Sequence, residues 1–180
     1  HTPSSPTPQS LEEQQFQIEN IKQISRAHNS LGLNILKQKI SEDKNNNIFL
    51  SPSSIHLALS MVYNGAAADT KAAIAKTLMV EGVDLDIFNN ANKVILNFLK
   101  SPDPKVQVLI ANSIWIRKNF LIKPDFLTVN QNFFQAKIDS LDFDQPGAAD
   151  VINLWVKENT KNKITSIIPP PIPDSAMMYL

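Results

Sequence analysis

Apolar residues recur along this chain at two spacings, and the switches between them mark out its elements. Between residues 11 and 40, Phe16, Ile21, Ile24, Leu31, Ile35 and Leu36 fall near one face of a helix, which closes at the polar run SEDKNNN. Glycine costs about 1 kcal/mol against alanine in a helix interior, so a break between His28 and Gly32 is expected. Ile48 to Leu50 reads as a short strand. Ser51 before Pro52 reads as a helix start, the serine accepting backbone N–H bonds and the proline taking the first turn. In the helix that follows, Ile55, Ala58, Leu59 and Val62 keep the i, i+3, i+4, i+7 rule while Leu57 and Met61 fill another face. A helix apolar nearly all round is a buried one. Gly65 ends it, and residues 70–78 and 86–99 follow as two more helices before SPDP stops the chain.

Residues 105–117, KVQVLIANSIWIR, give the clearest strand. Val106, Val108, Ile110, Ile114 and Ile116 alternate on one face, with Asn112 the exception, and Leu109, Ala111 and Trp115 occupy the other. Both faces are partly apolar, which predicts a central strand. KPDFLTVNQNFF repeats at helical spacing, AKIDSLDF is a second strand candidate, and DQPG breaks the chain. Ala148, Val151, Ile152, Trp155 and Val156 then predict an amphipathic helix over 148–160, laid on an apolar surface. IIPPPIPD reads as an extended, polyproline-like passage, and SAMMYL as a strand that has just begun. A chain stopping inside an apolar strand leaves donors and side chains without partners, so a longer protein is expected. At the other end, HTPSSPTPQS has three prolines and little to bury; residues 1–14 are expected to form an extended or disordered tail. Such a tail acts as a tether or docks on the body through Leu11 and Phe16.

Composition narrows the classes. The chain of 180 residues carries 17 basic and 17 acidic side chains, so no basic stripe is expected to track nucleic acid. Cysteine is absent, which removes disulfides, thiolate metal sites and cysteine catalysis. No apolar run approaches the roughly 20 residues of a membrane span. His56, three residues after Ser53, suggests a Ser–His pair, but Gly-x-Ser-x-Gly and an orienting acid are lacking. A helix-start serine beside a partly buried histidine is the simpler reading. No two histidines share a helical turn, and DLDIFNN imitates an EF-hand start but has Asn89 where the loop needs Gly. No metal, cofactor or catalytic residue is therefore expected.

What stands out is polar residues at apolar positions: Asn112 on its strand face, and Ser51 and Ser54 at the start of a buried helix. An unpaired buried amide costs about 1–3 kcal/mol, so the three are expected to bond to one another or to backbone between strands. A cluster of that kind makes a directional, reversible latch.

These residues carry a resemblance. Asn47 to Pro52 with Ser54 and Ile55, Ala58 to Met61, and Asn64, Gly65, Ala66, Asp69 and Thr70 are similar in order and spacing to the serpins, serine protease inhibitors that act by changing fold. So are Ile110 to Trp115, and Asn153, Trp155, Val156, Thr160, Lys163 and Ile164. The resemblance covers residues 16–180 and implies an α+β fold of three β-sheets and eight to nine helices, of which residues 15–180 are the amino-terminal portion. It implies that Ser51, Ser54 and Asn112 form the family's shutter, the latch where the main sheet parts, and that Asn153 and Trp155 pack a front helix on that sheet. The implied function is suicide inhibition: a target serine, or cysteine, protease is trapped covalently as a cut reactive-centre loop inserts into the main sheet. That loop and the carboxy-terminal half are expected beyond Leu180. A non-inhibitory carrier, chaperone or storage serpin is the alternative, and a standalone α+β binding module a third reading. An extracellular or periplasmic setting is expected, with the cytoplasm left open. Ala66 and the triple proline depart from the family pattern. Heparin binding is not expected, since residues 86–100 hold only Lys93 and Lys100.

Overall fold

A computed structural model describes residues 10–42, 45–100 and 103–180. Helix α1 (Leu11–Glu42) leads, followed by α2 (Pro52–Tyr63), α3 (Ala68–Leu78) and α4 (Leu85–Lys100). Strand β1 (Ser113–Arg117), α5 (Pro124–Phe134), β2 (Lys137–Leu141), α6 (Ala148–Asn159) and β3 (Met178–Tyr179) complete the order.

The first helix starts at Leu11, where the apolar pattern begins, and so takes in the end of the expected tail. Ser10 and Glu13 form a reciprocal cap: the Glu13 amide donates to Ser10 Oγ at 3.1 Å and the Ser10 amide to Glu13 Oε2 at 2.9 Å. Two amides that a helix start leaves orphaned are thereby satisfied, so residues 11–14, expected in the tail, are helical. Residues 1–9 of that tail, and its docking, lie outside the described residues. Nor does α1 break at Gly32. A Cβ there would sit 2.4 Å from Pro52 Cγ, so the glycine lets α1 and the start of α2 come close.

Strand β1 is the centre of a three-stranded sheet ordered β2-β1-β3. It pairs parallel with β2 from Ser113↔Lys137 to Arg117↔Leu141, and antiparallel with β3 through Trp115↔Tyr179 and Ile116↔Met178. Central placement matches the alternation, but the strand is shorter than the expected 105–117. The ladder begins where the Lys137 amide donates to Asn112 O at 2.9 Å, because α5 and its left-handed cap at Gln135 deliver β2 only there. Among the described residues, 103–111 have no strand neighbour beyond an Asp103–Val106 bridge, and Ile48 to Leu50, expected as a strand, are likewise without a ladder. Phe49 is 96% exposed there.

The pleat of β1 sends its side chains into two different cores. Ile114 and Ile116 join the larger core, with Ile24 and Leu31 of α1, Leu57 and Met61 of α2, Leu78 of α3, Phe88 and Leu96 of α4 and Phe134 of α5. Trp115 faces the opposite way, onto Phe143, Ala148, Ala149, Ile152, Ile168 and Ile172. Five helices therefore lie behind the sheet, and α6 with the passage after it lies in front.

Gly32→Ala tests the α1–α2 approach. Helix propensity alone favours alanine by about 1 kcal/mol, whereas overpacking against Pro52 costs about 1–3 kcal/mol. A lowered urea midpoint is expected; an unchanged or raised one shows that the helices do not meet at Gly32.

Candidate functional site

The residues expected to form a latch split into two groups. Ser51 Oγ and Ser54 Oγ meet at 2.7 Å, on an exposed shoulder at the start of α2. Ser51 stands at the N-cap position but makes no side-chain bond to the helix amides, so the expected cap gives way to the hydroxyl pair. Asn112 is half-buried one residue before β1 and donates from Nδ2 to Phe134 O at 2.8 Å, closing the end of α5 onto the strand. Its bond goes to backbone rather than to the serines.

In front of the sheet the expected pair is engaged. Asn153 is 8% exposed on the inner face of α6. Its Oδ1 accepts the amides of Ile167 and Ile168 at 2.9 and 3.0 Å, and its Nδ2 donates to Ile168 O at 2.8 Å. One side chain thus supplies the sheet-like partners that the returning passage lacks. Trp155 meets Trp115 edge to face, ring centres 6.1 Å apart at 74°, a geometry worth about 0.5–1.5 kcal/mol beyond area burial. Trp115 in turn donates from Nε1 to Ser113 Oγ at 3.0 Å.

Arg117, the last residue of β1, was not flagged by the sequence. Its Nη1 pairs with Asp144 Oδ1 at 2.6 Å, Nε donates to Ala176 O at 2.9 Å and Nη2 to Pro173 O at 3.2 Å. The guanidinium lies 5.3 Å from the centre of the Phe143 ring.

Behind the sheet is a buried polar network that the sequence pattern did not disclose. His28 of α1 and His56 of α2 stack with ring centres 3.7 Å apart and planes inclined by 25°. His28 Nε2 lies 3.0 Å from Asn92 Oδ1; because Asn92 Nδ2 donates to Phe88 O, its oxygen is the acceptor and Nε2 carries the proton. His56 Nδ1 lies 3.2 Å from Ser60 Oγ, one turn along the same helix, rather than paired with Ser53. The Ser60 hydroxyl donates to His56 O at 2.8 Å, and both residues of the pair are fully buried. Beside it, Asn64 and Asn89 exchange reciprocal amide bonds, both at 2.9 Å. The signal was present: His28 lies four residues after Ile24 and three before Leu31 on the apolar face of α1, and His56 sits in a helix apolar nearly all round.

Both rings are held neutral. Burial lowers the His28 pKa, opposed in part by the Asn92 bond, and burial followed by the adjacent His28 brings His56 down to about 3. His56 Nε2 lies beside the Leu78 carbonyl but outside ordinary hydrogen-bond geometry. On unfolding each ring returns to about 6.5. The unfolded chain then binds more protons than the native one below that pH, so each ring's contribution is complete above about 6.5 and is lost as pH falls, that of His56 as pH approaches about 3. Chemical denaturation at pH 7.5 and pH 5 should show a loss of up to about 1.4 kcal/mol per pH unit for each ring. His56→Gln should flatten that slope; a variant with the wild-type slope would show that the pair does not titrate on unfolding.

Comparison with known proteins adds what geometry alone does not supply. A family profile described as "Serpin (serine protease inhibitor)" matches residues 26–180. Glia-derived nexin of Rattus norvegicus is 31% identical over 152 residues, 83% of this chain and 37% of that protein. Leukocyte elastase inhibitor of Bos taurus is 31% identical over 157 residues, 86% of this chain and 41% of that protein. Among solved structures, native protease nexin-1 with heparin superposes with a TM-score of 0.75 at 27% identity, covering 88% of this chain and 43% of that one. The chain therefore spans about two fifths of the length of the curated relatives it matches.

Proposed function

The chain belongs to the serpin family, and from that membership we propose that it is the amino-terminal portion of a suicide inhibitor of serine proteases. The observation that carries the reading is the family match over residues 26–180, whose profile is described as a serine protease inhibitor. In keeping with it, β1 is the centre of a sheet whose ladder is ordered β2-β1-β3 among the described residues. In the proposed mechanism, a protease attacks a reactive-centre loop outside this chain and forms an acyl-enzyme. The cut loop then joins the main sheet as a new strand, carries the tethered protease with it and distorts its active site. The protein is the substrate of its target and needs no catalytic residue of its own.

Within that mechanism Ser51, Ser54 and Asn112 act as the latch. Support comes from the exposed Ser51–Ser54 pair, whose hydroxyls retain capacity to bond a strand supplied from outside this chain, and from Asn112, which ties β1 to the end of α5. Asn153 and Trp155 hold α6 against the front of the sheet. Lys93 and Lys100 are both occupied, the first over the Phe133 ring and the second on Gln135 Oε1. Protease nexin-1 was nevertheless solved with heparin, which counts against expecting no such binding here.

The test is to incubate the full-length protein that carries this chain with a panel of serine and cysteine proteases and run the products in SDS. A covalent complex with at least one of them is the expected result. Cleavage without any complex would instead establish the carrier, chaperone or storage reading.

A further inference from the structure

Asn64–Gly65 is the one Asn-Gly step in the chain, and it stands at the turn from α2 into α3. An asparagine side-chain amide is open to attack by the backbone nitrogen of the next residue, and a glycine there has no Cβ to hinder the approach. Packing keeps the glycine in place. A Cβ on Gly65 would lie 2.7 Å from Cδ2 and Cε2 of Phe126 in α5, so a larger residue that would slow the attack does not fit. The surrounding bonds oppose the chemistry instead. The Gly65 amide, whose nitrogen is the nucleophile, donates to Val62 O at 2.9 Å. Asn64 has helical backbone angles, φ −66° and ψ −21°, which aim that N–H back along the helix. Asn64 Nδ2, the leaving group, donates to Ser60 O and to Asn89 Oδ1, and Asn64 Oδ1 accepts from Asn89 Nδ2, each at 2.9 Å. Asn89, on α4, is only 2% exposed.

We propose that Asn64 is a deamidation site gated by the Asn64–Asn89 joint between α2 and α4, so that opening of the joint is recorded as a permanent change in its chemistry. When these bonds open, the Gly65 nitrogen gives its proton to hydroxide and attacks Asn64 Cγ. The new C–N bond closes a succinimide ring, and the side-chain nitrogen leaves as ammonia with a proton taken from water. Water then opens the ring at either carbonyl and leaves aspartate or isoaspartate; no oxidant or cofactor is needed. Neither product restores the joint. An aspartate oxygen in place of Nδ2 faces Ser60 O and Asn89 Oδ1, two acceptors, and isoaspartate carries its side-chain methylene in the backbone. Because α2 begins at the Ser51–Ser54 hydroxyl pair, the change falls on the helix that presents those hydroxyls. The proposal does not depend on whether the protein traps a protease.

The experiment follows Asn64 by peptide mass spectrometry in the full-length protein that carries this chain, held at mildly alkaline pH either native or unfolded in urea. In urea, wild type and N89A should convert at one rate, because the chemistry is then the same. Native wild type should convert at least about tenfold more slowly than in urea, since reaction waits on local opening. Native N89A, which lacks the facing amide, should convert severalfold faster than native wild type. If N89A does not melt cooperatively, wild type in sub-denaturing urea answers the same question: conversion should rise in step with amide exchange at residues 62–65. No conversion at Asn64 in urea overturns the site. Native wild type converting at the urea rate, or folded N89A converting at the native wild-type rate, overturns the gate. Conversion that rises only at the global unfolding midpoint overturns a local gate as well. N64D supplies the aspartate product directly and should exchange the amides of residues 62–65 severalfold faster than wild type. Equal exchange overturns the claim that the change is a permanent loosening.

Discussion

Strand β1 alternates its side chains between two apolar layers, with Ile114 and Ile116 turned to the helices behind and Trp115 turned to α6 in front. Because each side chain on a strand faces opposite its neighbour, a register slip of one residue would bring Trp115 into the helical core and expose two isoleucines to the front layer. That constraint fixes the strand, and the strand fixes its neighbours. β2 can pair only from Lys137 onward, where α5 ends, and β3 must arrive from the front layer after the chain has crossed over α6.

The two layers are held by different chemistry. Behind the sheet, polar groups meet one another side chain to side chain: the His28–His56 stack with Asn92 and Ser60, and the Asn64–Asn89 exchange. Such contacts have preferred directions, and a buried network that is largely satisfied fixes how helices cross. Its weak points are His28 Nδ1 and His56 Nε2, which make no hydrogen bond among the described residues. In front, polar side chains reach backbone instead. Asn153 and Arg117 between them satisfy carbonyls and amides of the passage from Ile167 to Ala176 that no strand neighbour serves.

Legibility in the sequence follows the same division. The central strand, the buried α2 and the amphipathic α6 could be read because their periodicity reports burial directly; Trp155 belonged to that pattern, whereas Asn153 was singled out through the serpin resemblance alone. The serpin resemblance ordered these pieces without measuring any contact. What could not be read were pairings between distant segments. Each histidine was visible on an apolar face, but nothing in a one-dimensional pattern brings residue 28 over residue 56. Gly32 was misread for a related reason: its propensity cost is local, whereas its contact with Pro52 is between helices. Ser51 was taken for a cap because the Ser-Pro signal is local too, and the neighbouring Ser54 hydroxyl outcompeted the helix amides. Arg117 carried no signal at all, since an arginine ending a strand is ordinarily a solvated charge.

The strand insertion proposed for this sheet needs one layer that keeps its geometry and another that can yield and re-form. The back layer meets the first requirement through a core into which five helices and β1 contribute, so separating any one of them from the sheet exposes apolar surface belonging to several. The front layer meets the second through a much smaller core and a few bonds from single side chains to backbone. Hydrogen bonds to a strand-like passage are replaceable, because water or another strand can satisfy the same carbonyls when the side chain lets go. Buried apolar contact offers no such substitute. The placement of Asn153 and Arg117 thus concentrates the reversible bonds on the side where α6 and the returning passage lie, and leaves the irreplaceable contacts on the side that serves as the frame.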